Sequence, residues 1–309
     1  MIDLNSNPFG HGVLRRNPLV KIVQKLLRQA NGQKIGKATI GFDWEKGFDV
    51  RDTIGPIQIK NQGQNSSCGG QAGAYFLEIQ ERLRGIKEGT LSAKSIYSPW
   101  RNIGGGMTVT QLNTQIGATG ANLEATVPSY DINGNPLSEL MMEDYSWHND
   151  RLDTDALTRA GYTPYDIAED IETVAQTIQN YGAVIMEVRG NNNGSWLSTT
   201  PTIQKVGEYW YHYLCICGAR VVNNQKKLIA LQSWGETANR GGVTYPIGDH
   251  GTQYFGNEWF TSKNIVDAFT WIHDSVVVPI PTPIAKQTIW QALALWFRQQ
   301  WGLANSLTS

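Results

Sequence analysis

The chain has 309 residues, 40% of them apolar and 17% charged, with a formal net charge of −1. That length buries a large core, as one domain with extensions or as two lobes, and the near-neutral balance gives no global attraction to nucleic acid or anionic membranes. Three cysteines, Cys68, Cys215 and Cys217, are too few for the disulfide framework of a small secreted protein.

Residues 1–42 carry seven lysines and arginines against Asp3 alone. The opening MIDLNSNPFGHG lacks the apolar stretch of a signal peptide, and no apolar run nears the ~20 residues of a membrane span. A protein that is not classically secreted, cytoplasmic or virion-associated, is expected. Asn17-Pro18 predicts a helix start, with Leu19, Ile22, Val23, Leu26, Leu27 and Ala30 on one face and Lys21, Lys25 and Arg28 on the other. Asn31-Gly32 ends it. A helix docked on the main domain, a pro-segment and a partner-binding arm all fit this stretch.

Residues 44–60 read as extended. In NQGQNSSCGGQAGAYF, residues 61–76, a polar loop turns into a helix at Cys68: Ala72, Tyr75, Phe76, Ile79 and Leu83 recur at helical spacing, and Ser67 is a suitable N-cap. Residues 86–150 are loop-rich, with a triple glycine at 104–106. A helix is predicted from Asp170 to Asn180, closed by Tyr181-Gly182. Strands follow from Ala183: AVIMEV, YWYHYLCICGARVV and KKLIALQSW. Cys215 and Cys217, two apart on a strand, share a face and read as buried free thiols. Helices first and strands second make an α+β chain. SVVVPIPTP at 275–283 is a linker to a last amphipathic helix, whose stripe of Trp290, Leu293, Phe297 and Trp301 is widened by Ile289 and Trp296. The organisation is a basic extension over 1–43, a main domain over 44–274, and a linker with a helix over 275–309. Helices this apolar predict docking, either on the domain itself or in a homo-oligomer or larger assembly.

Cys68 sits where chemistry would use it. A helix N-terminus stabilises a thiolate, and a nearby amide such as Gln62, with the Cys68 N–H, would supply donors for an oxyanion. No Cys/His cluster has metal-ligand spacing and there is no phosphate loop, so neither metal nor cofactor is expected.

With these residues in view, the sequence resembles the papain-like cysteine peptidases. That family places a glutamine six residues before the cysteine in a segment like QGxCGSCWAF; here QGQNSSCGGQA sets Gln62 and Cys68 at the same separation. The family histidine follows at about 130–150 residues, and His212 lies 144 residues after Cys68. LQSWGE, with Gln232, Ser233 and Trp234, is similar to the family's NSWG. IGGGMT at 103–108 resembles its substrate-binding glycine pair, placing Gly105 and Gly106 there. TVPSY at 126–130, AVIMEVRG and the YFGNEWFT…DAFTWI region extend the likeness over residues 44–274.

The resemblance implies a two-lobed α+β fold, a helical lobe carrying the cysteine and a β-barrel-like lobe carrying the histidine. It implies a thiol endopeptidase for a peptide or protein substrate, with Cys68 and His212 as the reacting pair, Gln62 at the oxyanion, Gln232 orienting the histidine and Trp234 shielding that contact. Met107, Trp210 and Tyr213 would crowd the pocket for the second substrate residue, so small side chains are expected there. The departures are Gly69 for the family's tryptophan, Asn65 for a disulfide cysteine and Gln232 for the orienting asparagine. They keep two alternatives open: a papain-fold structural or binding component of a larger, phage- or virus-type assembly with weak or no hydrolysis, and another acyl-transfer enzyme.

Overall fold

The computed structural model describes residues 34–38, 41–100, 105–190, 202–203, 210–240, 243–246, 251–261 and 265–273. The two amphipathic helices expected at 18–31 and from 284, and the linker at 275–283, lie outside these residues.

In chain order the first half comprises β1 (Lys34–Ile35), β2 (Phe48–Asp49), α1 (Arg51–Ile54), α2 (Cys68–Leu83), α3 (Ala93–Tyr97), α4 (Val109–Thr114), α5 (Glu139–Glu143) and α6 (Asp150–Leu157). The second half comprises β3 (Tyr162–Ile167), α7 (Ile171–Tyr181), β4 (Val184–Gly190), β5 (Thr202–Ile203), β6 (Trp210–Val222), β7 (Gln225–Leu231), β8 (Thr237–Arg240), β9 (Val243–Pro246), β10 (Thr252–Gly256), α8 (Glu258–Thr261) and β11 (Ile265–His273). The main sheet runs β1-β3-β11-β4-β6-β7-β10-β5, with β2 added onto β6 and a separate β8-β9 hairpin. The expected α+β architecture is present. The stretch read as extended over 44–60 instead contains α1, because the Asp49 carboxylate accepts the Arg51 N–H at 3.0 Å and its side-chain N–H groups at 2.9 and 2.6 Å, turning the chain into a helix.

Alternation along β6 divides the interior. Tyr213, Cys215 and Cys217 pack in the core shared with α2, alongside Ile185, Leu231, Phe269 and Trp271. Leu214 and Ile216 face the other core, with Val184, Met186, Val188 and the α7 residues Ile171, Val174 and Ile178. The helical half therefore covers one face of the sheet, while α7 covers the other. Cys215 and Cys217 share a face as buried free thiols. Both are pushed well above the usual thiol range, first by burial; Cys217 adds to this at Cys215, and Asp49 adds to it at Cys217.

The glycines at the start of α2 have a packing cause. A Cβ on Gly70 would lie 2.6 Å from the Ala93 carbonyl oxygen, and one on Gly73 would lie 2.9 Å from Leu112 Cδ1. The helix approaches α3 and α4 too closely for side chains there. Tertiary packing thus overrides a helix propensity penalty of about 1 kcal/mol per glycine.

Candidate active site

The loop before Cys68 is anchored from below. Lys60 forms a buried ion pair with Glu78 at 3.3 Å, its Nζ donates to the Leu91 carbonyl at 2.9 Å, and Glu78 accepts the Leu91 N–H at 2.9 Å. The Lys60 N–H donates to the Tyr75 hydroxyl, which donates in turn to the Gln232 carbonyl at 2.8 Å. One buried phenol thus ties α2, the loop before it and the segment after β7.

That segment pairs directly with the loop. Asn61 and Trp234 form an antiparallel bridge, the Gln62 N–H donates to the Ser233 carbonyl at 2.6 Å, and the Gly235 N–H donates to the Lys60 carbonyl at 2.9 Å. Gln62 is fully buried, and its amide orientation is decided by its partners. Nε2 donates to the Asn65 carbonyl at 2.8 Å, an atom that only accepts, and Oε1 takes the Ser233 hydroxyl at 2.5 Å.

Cys68 is the first residue of α2 and is fully buried. Ser67 precedes the helix but does not cap it as expected. Its φ of −86° and ψ of 19° are not the extended cap conformation, and its hydroxyl donates to Asn65 Oδ1 at 2.5 Å.

His212 lies on β6 opposite Val188 and is 1% exposed. The β6–β7 register, continued past Leu231, sets Trp234 across from it. The imidazole and indole stack with centroids 4.9 Å apart and planes at 22°. The orienting bond expected from Gln232 is absent: the residue is fully buried, and neither amide atom has a hydrogen-bond partner among the described residues. The indole lies against the imidazole and gives it its plane.

The neighbouring Tyr213 is buried between the two halves, its hydroxyl 3.3 Å from Glu187 Oε2. Burial raises its phenol well above the usual range, with further contributions from Glu187, then Cys68, then Asp267. A Cβ on Gly69 would stand 3.0 Å from Met107 Cβ and 3.4 Å from Tyr213 Cδ2. Met107 and Tyr213 therefore fill the space beside Gly69, and both are buried. Gly105 and Gly106 adopt φ of 77° and 85°. The Gly106 N–H donates to the Tyr97 hydroxyl at 2.7 Å, so this backbone donor already serves the fold. Trp210 opens β6.

No family model and no curated protein matches the sequence. Solved structures do. Xylellain, a cysteine protease from Xylella fastidiosa, is similar over 86% of this chain and 97% of its own, with a TM-score of 0.62 and 14% identity. Digestive procathepsin L2 from Tenebrio molitor larval midgut is similar over 88% of this chain and 80% of its own, with a TM-score of 0.59 and 18% identity. The Amb a 11 cysteine protease of ragweed pollen, in its proform, is similar over 77% of this chain and 67% of its own, with a TM-score of 0.58 and 18% identity. The chain has the papain-like cysteine peptidase fold.

Within this papain-like fold, three contributors escaped sequence reasoning. Ser233 stood inside the LQSWGE segment without a role, although a hydroxyl beside two amides in a buried turn signals a hydrogen-bond partner. Tyr75 read as an apolar helix position. Glu139, 73 residues from the loop it contacts, carries no local signal. Among the described residues no His/Cys/Asp/Glu group is arranged to hold a metal, and no helix is long and apolar enough to cross a membrane.

Proposed function

We propose that the protein is a cysteine peptidase in which Cys68 is the nucleophile and His212 its acid–base partner. The observation that carries the reading is the pairing of residues 60–62 with 233–235. It fixes the Gln62 amide, by both ends, at the start of the cysteine helix. In this reading His212 takes the Cys68 proton, and the thiolate attacks a peptide carbonyl, forming the C–S bond. Negative charge on the carbonyl oxygen is met by the Cys68 N–H and by the Gln62 side-chain amide. The tetrahedral adduct collapses with loss of the amine, protonated by the His212 imidazolium. Water, deprotonated by His212, then cleaves the thioester and restores the thiol. Trp234 sets the plane of the imidazole in place of a side-chain amide. Met107 and Tyr213 leave room for a small side chain at the second residue before the cut.

Hydrolysis of fluorescein-labelled casein by the full chain tests this. Cys68→Ala and His212→Ala should each lower turnover by at least about 10³-fold, and Gln232→Asn should keep or raise it. Undiminished turnover in Cys68→Ala would overturn the assignment.

A further inference from the structure

We infer that Glu139 is a positioning residue for Cys68, clamping the loop that carries the thiol onto the glycine segment beside it; this rests on reading Cys68 as the nucleophile. Glu139 is the first residue of α5 and half-buried. Its Oε2 accepts the Ser66 N–H at 2.5 Å, two residues before Cys68. Its Oε1 accepts the Tyr97 hydroxyl, which itself accepts the Gly106 N–H at 2.7 Å. One carboxylate therefore joins the cysteine loop, the end of α3 and the glycine segment.

The surroundings leave little freedom. The Asn65 side chain donates to the Leu137 carbonyl at 2.8 Å, so the segment leading into α5 grips the loop at a second point. A Cβ at Gly105 would sit 2.7 Å from Ser66 Cβ and 3.0 Å from Glu139 Oε1, which shows how closely the glycine segment is drawn in. Burial, and then the bond to Glu139, hold the Tyr97 phenol far above its usual range, so it remains a donor. The backbone angles at Ser66 and Ser67 set where the Cys68 thiol points. A loss of about 1 Å in such placement costs on the order of 10²-fold in rate.

The clamp predicts a separation between variants. Glu139→Ala removes both acceptors. Glu139→Gln keeps an oxygen for the Ser66 N–H and turns the amide nitrogen toward Tyr97. Two readouts on the full chain decide the matter: hydrogen exchange of peptides spanning Ser66 and Gly106, and kcat and KM on fluorescein-labelled casein. Glu139→Ala should speed exchange at both places by about tenfold or more and lower kcat by about 10- to 100-fold, with KM changed by less than about threefold. Glu139→Gln should restore most of kcat. Tyr97→Phe, which leaves the Ser66 bond intact, should speed exchange at Gly106 alone, and it serves if Glu139→Ala does not fold. Unchanged exchange in Glu139→Ala overturns the clamp. Faster exchange with unchanged kcat overturns the positioning role. A wild-type chain that neither cleaves casein nor is alkylated at Cys68 removes the peptidase reading and the positioning role with it, while the exchange data still decide the clamp.

Discussion

Ser233→Ala isolates the support of the Gln62 amide, the donor proposed for the oxyanion. The hydroxyl it removes donates 2.5 Å to Gln62 Oε1, and both residues are buried, at 3% and 0% exposure. An acceptor left without a partner in such a place costs about 1–3 kcal/mol of stability, or several degrees in Tm at about 2–4 °C per kcal/mol. The effect on catalysis has a ceiling. Losing an oxyanion donor outright costs about 10²–10³ in kcat, but Nε2 keeps its bond to the Asn65 carbonyl. The amide is loosened rather than lost, and a fall of about tenfold, equivalent to roughly 1.4 kcal/mol, is expected. Casein hydrolysis with kcat and KM resolved, beside a thermal melt, measures both. The double mutant Ser233→Ala/Gln62→Ala should be no slower than Gln62→Ala, because Ser233 acts through Gln62. Additive losses in kcat, or a lower Tm with full kcat, would refute the argument.

Gly70→Ala should destabilise by about 1–3 kcal/mol in urea unfolding, since its Cβ meets the Ala93 carbonyl and overpacking outweighs the propensity gain of about 1 kcal/mol; a more stable variant would show that α3 yields. Iodoacetamide near pH 6, followed by peptide mapping, should label Cys68 ahead of Cys215 and Cys217, whose burial keeps them protonated; equal labelling of the three would count against it. Gln232→Met should hold or raise stability, because the amide it removes is buried without a partner among the described residues, and a loss above about 1 kcal/mol would reveal an interaction it makes. Burial pushes the Glu81 carboxyl up to about 7 against the pull of Arg159. The folded state then holds a proton that the unfolded chain has lost, so stability should fall as pH rises from about 4.5 to 7, and Glu81→Gln should flatten that fall in urea midpoints taken across the range.

How much of this was legible depended on the range of the interactions. The cysteine helix announced itself through the spacing of Ala72, Tyr75, Phe76 and Ile79, and it begins at Cys68. Alternation in β6 put Cys215 and Cys217 on one face, as read. Strand β3 went unread; it contains Pro164, a residue type that argues against a strand, which lies across from Trp271 of β11. At the site, separations in sequence could nominate Cys68, Gln62 and His212, but not the contacts that aim them. The Ser233–Gln62 bond spans 171 residues and the Glu139–Ser66 bond 73, and neither leaves a periodic trace. Gln232 could be flagged as one methylene too long; only the packing shows its amide without a partner among the described residues and the imidazole against Trp234.

The seam between residues 60–62 and 233–235 also sets a time order. During synthesis Cys68 leaves the ribosome well before Ser233 and Trp234, a delay of roughly 10–30 s at about 5–20 residues per second. Until the second half has emerged, Gln62 has no hydroxyl to lock its amide, and the thiol loop has no β6 and β7 to close against. The seam that holds the Gln62 side chain exists only once these two distant stretches of backbone have met.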